Sequence, residues 1–210
     1  FGVAFEIHSE WVTEEKETEG ESIAMGYTLA DDDPGDFYSV DISTDSRYGT
    51  PVFGLKSGRS SNPWELGTQP RDRAILNIDP PVREAVPSGG PAVFTLTMTN
   101  ASESVETREY ILRSILTSNP GGAKMTAQGA PGLHAGLSFF LDGDPSNASQ
   151  EVTLAVEPGP VNLDYEDLQI QMYPAGEYPI WEDGGVGNSG VILQADTVSF
   201  DVFFSSLGVP

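Results

Sequence analysis

PAVFTLTMTN, Pro91 to Asn100, is the stretch whose reading decides the fold. Val93, Leu96 and Met98 or Phe94 supply apolar bulk, and Thr95, Thr97 and Thr99 alternate between them. A spacing of two puts one set of side chains on a dry face and the other on a wet one, as in a strand. Threonine, branched at Cβ, suits such a pleated surface. The stretch is entered through Pro87-Ser88-Gly89-Gly90-Pro91 and left through Asn100-Ala101-Ser102, neither of which continues a helix.

Outward from it the same format recurs, a short alternating run and then a punctuated turn. On the N-terminal side, FGVAFEIHSEW sets Phe1, Val3, Phe5 and Ile7 on one face. TEEKETEGES (Thr13 to Ser22) reads as a charged hairpin tip, and SIAMGYTLA as the return strand. After the acidic turn DDDPGD (Asp31 to Asp36) come FYSVDIST and TPVFGLKSG, the polar SSNPWELGTQPRDR, and the strand ILNID. PPVREAVPSGGP reads as a double-proline crossover. On the C-terminal side, ETREYILRSILT is a strand and not a helix, given its β-branched content and the adjoining SNPGG. AKMTAQG, LSFFL, EVTLAV, LQIQMY, VILQA and TVSFDVFFSS continue the series.

About eleven or twelve strands with no convincing helix predict an all-β chain. The expected fold is an antiparallel β-sandwich, immunoglobulin-like, with extra N-terminal strands. Residues 71–210 hold enough strands for the sandwich, and residues 1–70 are expected to form a β-layer packed on it.

The 210 residues carry 32 acidic and 10 basic side chains, a net charge of −22. Such a surface repels phosphate backbones and anionic lipid, which argues against nucleic acid and membrane surfaces as partners. It fits a protein working in high salt, one that collects divalent cations, or an acidic extracellular protein. There is no cysteine, so no disulfide, thiolate metal site or cysteine nucleophile exists. No apolar run approaches the roughly 20 residues of a membrane span, and membrane insertion is not expected. No signal peptide is recognisable, and a start at Phe1 inside an alternating run points to a processed protein or a piece of a longer one.

The residues offer little for catalysis. His8 falls on the polar face of its strand and His134 in a loop, so both read as surface histidines. Gly185, Gly187 and Gly190 match GxGxxG, but a strand comes next where a phosphate-cradling helix belongs, and Glu182 and Asp183 would repel a pyrophosphate. Ser189 lacks the strand-to-helix turn of a nucleophile elbow. The chain is therefore read as non-enzymatic.

Calcium is the stronger chemical candidate, because hard cations want several oxygens converging from a turn. Asp31, Asp33 and Asp36 (with Asp32) flank a Pro-Gly bend, and Asp142 and Asp144 lie in DGD. Asp164, Glu166 and Asp167 form a third cluster in LDYED, a segment similar to the calcium-binding LDRE of cadherin repeats. Solvated aspartate-rich turns explain the same residues. Tyr165 has a second reading, as the tyrosine corner of an immunoglobulin-like sandwich. Trp64 and Trp181 sit in predicted loops where exposed indoles would stack on sugar rings, although plugging the end of a sandwich is the commoner role for a tryptophan, Trp11 included. With the Asp31–Asp36 turn they define the alternative reading, a calcium-dependent carbohydrate-binding module with glycans as partners. Asn100-Ala101-Ser102 and Asn147-Ala148-Ser149 are glycosylation sequons in predicted turns.

Five segments together carry a resemblance: LADDDPGDFYSVDIS, YGTPVFGLKSGRSSNPWELGTQPRD, PAVFTLTMTN, LDYEDLQIQMYPAGEY and DTVSFDVFF. In that order they resemble a β-sandwich repeat module of very large secreted and surface proteins of Bacteroidota-type bacteria. The central strand also resembles immunoglobulin-like surface repeats. The resemblance implies an extracellular or cell-surface, all-β, non-enzymatic module. It also implies cysteines near Asn62 and Ala175, where this chain has none. The functional expectation is a subunit or repeat of a filament or adhesin, with neighbouring copies or adjacent modules as partners. Assembly would run through terminal strands: Phe1, Val3, Phe5 and Ile7 at one end and VSFDVFF at the other, each offering unpaired edge groups.

Overall fold

The computed structural model describes residues 5–6, 28–29, 35–61, 67–176 and 194–205. The chain divides into two units, Phe1–Arg59 and Ser60–Pro210.

In the first unit, β1 (Phe5–Glu6) pairs antiparallel with β2 (Thr28–Leu29). β3 (Phe37–Thr44) and β4 (Pro51–Ser60) form a hairpin from Phe37↔Arg59 to Thr44↔Pro51. Its loop is tied by Asp45, whose carboxylate accepts the Arg47 N–H (2.7 Å) and the Tyr48 N–H (3.2 Å), a turn chemistry typical of aspartate. The register shifts between Ser39↔Ser57 and Val40↔Leu55, so Lys56 is the extra residue of a bulge. Tyr38, Val40 and Ile42 then share one face with Phe53 and Leu55.

Ser60, the last residue of β4, belongs to the second unit. Its carbonyl accepts the Arg71 N–H (2.9 Å), and its hydroxyl meets that of Thr68 at 2.6 Å. Ser61, Thr68, Arg71 and Asp72 are buried with it. The boundary thus falls after Arg59 and not after residue 70, because this polar stretch folds with the C-terminal unit.

After the short β5 (Gln69–Pro70), two sheets build the sandwich. One contains β6 (Ala74–Asp79), β8 (Ala92–Asn100), β10 (Lys124–Ala127) and β12 (Ser149–Glu157), in the order β10-β12-β8-β6. The other contains β7 (Val82–Pro87), β9 (Arg108–Ser114), β11 (Leu137–Leu141), β13 (Asp164–Pro174) and β14 (Asp196–Ser205), in the order β11-β9-β13-β14-β7. Taking β6, β8, β9, β10, β12, β13 and β14 as A, B, C, D, E, F and G gives an ABED sheet facing a CFG sheet, the immunoglobulin-like arrangement. The helical segments among the described residues are two 3-10 turns, Leu116–Ser118 and Leu133–Ala135.

β8 shows why the sandwich forms. Ala92, Phe94, Leu96, Met98 and Asn100 are buried and the residues between them are not. Val93, expected among the apolar set, instead lies on the threonine face, 44% exposed, because parity and not hydrophobicity decides which way a strand residue points. Facing β8 across the core are Leu168, Ile170 and Met172 of β13 and Phe200 and Val202 of β14. Phe94 and Phe200 meet edge to face at 4.8 Å. Each such side chain contributes roughly 1.5–3 kcal/mol by leaving water.

Three further expectations are corrected. PPVREAVPSGGP contains β7, a strand running parallel to β14. Its residues are mostly exposed and show no alternation, as an edge strand permits. β9 ends at Ser114, and ILTS turns into the first 3-10 segment. VILQA is not a strand over its last two residues, since Gln194 is a turn and β14 begins at Asp196; residues 191–193 lie outside the described residues.

Candidate functional site

The polar chemistry of the described residues gathers at one end of the sandwich, where β6 and β9 begin and β8 ends. Asn100 closes β8 with its amide pointing inward. Its Nδ2 donates to the carbonyls of Glu106 (3.2 Å) and Leu141 (3.3 Å), while Oδ1 accepts from the Tyr110 hydroxyl (2.7 Å) and the Ser102 N–H (3.1 Å). The loop after β8 is thereby tied to β9 and β11. Tyr110 is fully buried beside it, and burial, reinforced by the Asp72 carboxylate, pushes its pKa up to about 12 against the pull of Ser102 and Arg108.

Asp72, also buried, lies 3.4 Å from Nε of Arg108, whose other arm reaches Glu106 at 3.2 Å. Arg71 approaches Glu103 at 4.0 Å. Next to these pairs is an open cleft of about 500 Å³ lined by Arg71, Arg73, Glu103, Gln194 and Asp196 among others. Asp196 accepts the Leu76 N–H (2.9 Å) and its neighbour Thr197's N–H (2.9 Å), so it serves the backbone. The described lining contains no histidine, serine or threonine. It offers charge and hydrogen bonds, but no imidazole or hydroxyl for acyl transfer.

At the opposite corner, Tyr165 stands near the start of β13. Its hydroxyl donates to the Asn162 carbonyl (2.7 Å) and accepts the Gly159 N–H (2.6 Å), the back-bonding of a tyrosine corner. Gly159 is required there, since a Cβ would come within 2.5 Å of the Gly122 carbonyl oxygen.

The other predicted residues are scattered. Asp31, Asp33, Trp11, Trp64, Trp181, His8, Ser189 and the GxGxxG glycines lie outside the described residues, as do Phe1, Val3 and Ile7. Asp36 precedes β3. Asp142 and Asp144 are engaged in their own turn: Asp142 accepts the Asp144 N–H (3.0 Å), and Asp144 accepts the Ser146 N–H (2.9 Å) and hydroxyl (2.8 Å). Those two bonds from Ser146 hold the Asp144 pKa below its usual value. Among the described residues no three acidic or histidine side chains are placed to hold a metal. Asp167 sits at a bulge in β13 with φ +54°, and its N–H donates to Asp201 (2.9 Å). His134 is exposed in the second 3-10 turn.

Asn100, expected as a sequon in a turn, is buried and committed to four hydrogen bonds, which leaves no room for a glycan; Asn147 is exposed in its turn. The C-terminal strand expected to offer a free edge does not. β14 lies between β13 and β7 and is paired on both sides. Phe5 pairs with Leu29 of the same chain. The buried network of Asn100, Tyr110, Asp72 and Arg108 was not anticipated. For Asn100 the signal was present, since it shares even parity with Phe94, Leu96 and Met98.

No protein-family model matches the chain, and no curated protein does. Among solved structures the chain is similar to the ASH / PapD-like domain of human CEP192 (PapD-like domain 7), with 15% identity over 70% of this chain and 94% of that one and a TM-score of 0.34. It is also similar to domains 4 and 5 of the S-layer protein SbsC, with 9% identity over 91% of this chain and 89% of that one and a TM-score of 0.31. Neither likeness assigns a function, and neither bears on the resemblance to Bacteroidota-type modules. The fold class rests on the sheets themselves. No helix among the described residues is long and apolar enough to cross a membrane.

Proposed function

We propose that this chain is a structural and interaction module of an extracellular surface protein, one that holds a shape and makes contacts with neighbouring copies, and that it is not an enzyme. The observation that carries this reading is the β3–β4 hairpin. Ile42 (39%) and Leu55 (40%) are exposed on one of its faces and Phe37 (52%) and Val52 (46%) on the other, so each face offers apolar side chains to a partner. The polar side chains of the sandwich support the same reading, because most of the hydrogen bonds of Asn100, Tyr165 and Asp196 go to backbone groups and so hold loops and strands in place. High acidity without cysteine suits an extracellular setting.

Sedimentation velocity of the full chain over a range of concentrations, at low and high salt, tests the proposal. The expected result is self-association that strengthens as salt screens the net charge of −22. A chain that stays monomeric at every concentration and salt would count against it.

A further inference from the structure

We infer that copies join head to tail, the β3 edge of one copy pairing with the β11 edge of the next; this rests on the interaction reading above and names its surfaces. Exposed sheet edges are ordinarily guarded, because their unpaired N–H and C=O groups invite another strand. The edges of the sandwich can be compared on this point. β6 is blocked where Asp196 takes the Leu76 N–H. β7 carries Arg83, Glu84 and Pro87, and its register with β14 shifts where Ala85 has φ +52°. β10 is four residues long and begins at Lys124.

β11, at five residues, is little longer than β10 but lacks the other devices. Its sequence LSFFL contains no charge and no proline, and its ladder with β9 runs without a shift from Leu137↔Leu112 to Leu141↔Arg108. Phe140 on its outer face is 68% exposed. Among the described residues β11 ends its sheet, and no described strand pairs with its other side.

Charge selects the occupant. In a chain of net charge −22 most surfaces of two copies repel. β11 is uncharged, and the one charge on β3, Asp41, is paired with Lys56 at 3.0 Å. Among the described residues β3 also ends its sheet, and it presents Ile42 beside Leu55, 39% and 40% exposed. Two neutral edges with apolar side chains at alternate positions are the surfaces on which two copies meet at the least electrostatic cost. Strand addition supplies the main-chain hydrogen bonds, and Phe140 and Ile42 supply the apolar contact. Because the two edges differ, the contact is heterologous and joins further copies head to tail, as an open chain or, where the rotation between copies closes, a ring.

The test uses the full chain and two variants, Phe140→Lys and Ile42→Lys, by sedimentation. Each is expected to weaken association by about tenfold or more. Mixed together they should form a dimer that grows no further, because one intact β3 edge and one intact β11 edge remain. Both positions are exposed, and unchanged thermal melts would show that folding is intact; Ser138→Lys on the same outer face of β11 serves as a second probe. If the wild type associates but the variants do too, or if their mixture gives no dimer, the assignment of edges is wrong while the interaction reading stands. A wild type that never associates removes both.

Discussion

Asn100 comes after Phe94, Leu96 and Met98 on the inward parity of β8, so a polar amide is carried into the core at the strand's end. It is tolerated because all of its hydrogen-bonding groups are matched. Asn100→Ala would strand the Glu106 and Leu141 carbonyls, while the Tyr110 hydroxyl keeps Ser102 (2.9 Å) and the Arg73 carbonyl (3.4 Å), and is expected to cost roughly 2–4 kcal/mol. Urea denaturation measures it, and a loss under about 1 kcal/mol would contradict the described network. Tyr110 yields a pH prediction. Its folded pKa, about 12, lies above the ordinary 10.0, so the fold favours the neutral phenol. That contribution is fully present below pH 10 and is lost as pH rises through 12, amounting to roughly 2–3 kcal/mol. Stability between about pH 9 and 12 should therefore fall more steeply for the wild type than for Tyr110→Phe. Equal slopes would refute it.

Among the elements, β8 and β7 mark the two extremes of legibility. β8 alternates because one of its faces packs on the opposite sheet, and that periodicity is visible in the residues themselves. Leu96→Ala, at a fully buried position, should cost about 2–5 kcal/mol with its cavity. Val93→Ala, on the outer face of the same strand, should cost less than about 1 kcal/mol. Chemical denaturation of the pair checks the parity directly, and similar losses would mean that the register is wrong. β7 leaves no such trace. It is held by backbone pairing to β14, more than a hundred residues later, and its exposed side chains have nothing to alternate for. The Asp72–Arg108 pair was equally silent, because Asp72 precedes β6 and Arg108 opens β9, and the β6–β8 pairing together with the loop after β8 brings them together.

For the molecule as a whole, every described residue of the core cluster lies between Ala74 and Phe204. The fragment Ser60–Pro210 is therefore expected to fold without the first unit and to melt in one cooperative transition, monitored by circular dichroism and calorimetry. A broad, non-cooperative melt would show that the core is incomplete without the residues before it. The same division explains why the sequence-based boundary fell late. Ser60, Ser61 and Thr68 look like linker in composition, yet all three are buried, and Ser60 bonds to Thr68 and to the Arg71 N–H.

The sequence by itself determined the fold class, most of the strands and the tyrosine corner, because period-two alternation, turn residues and the position of Tyr165 are local features that one face of a sheet imposes on its own residues. Only the tertiary structure decided which strands are edges, that VSFDVFF is enclosed on both sides, and that Asn100 faces a buried tyrosine. Strand order and side-chain partnership depend on residues far apart in the chain, and the distance between them leaves no periodic mark.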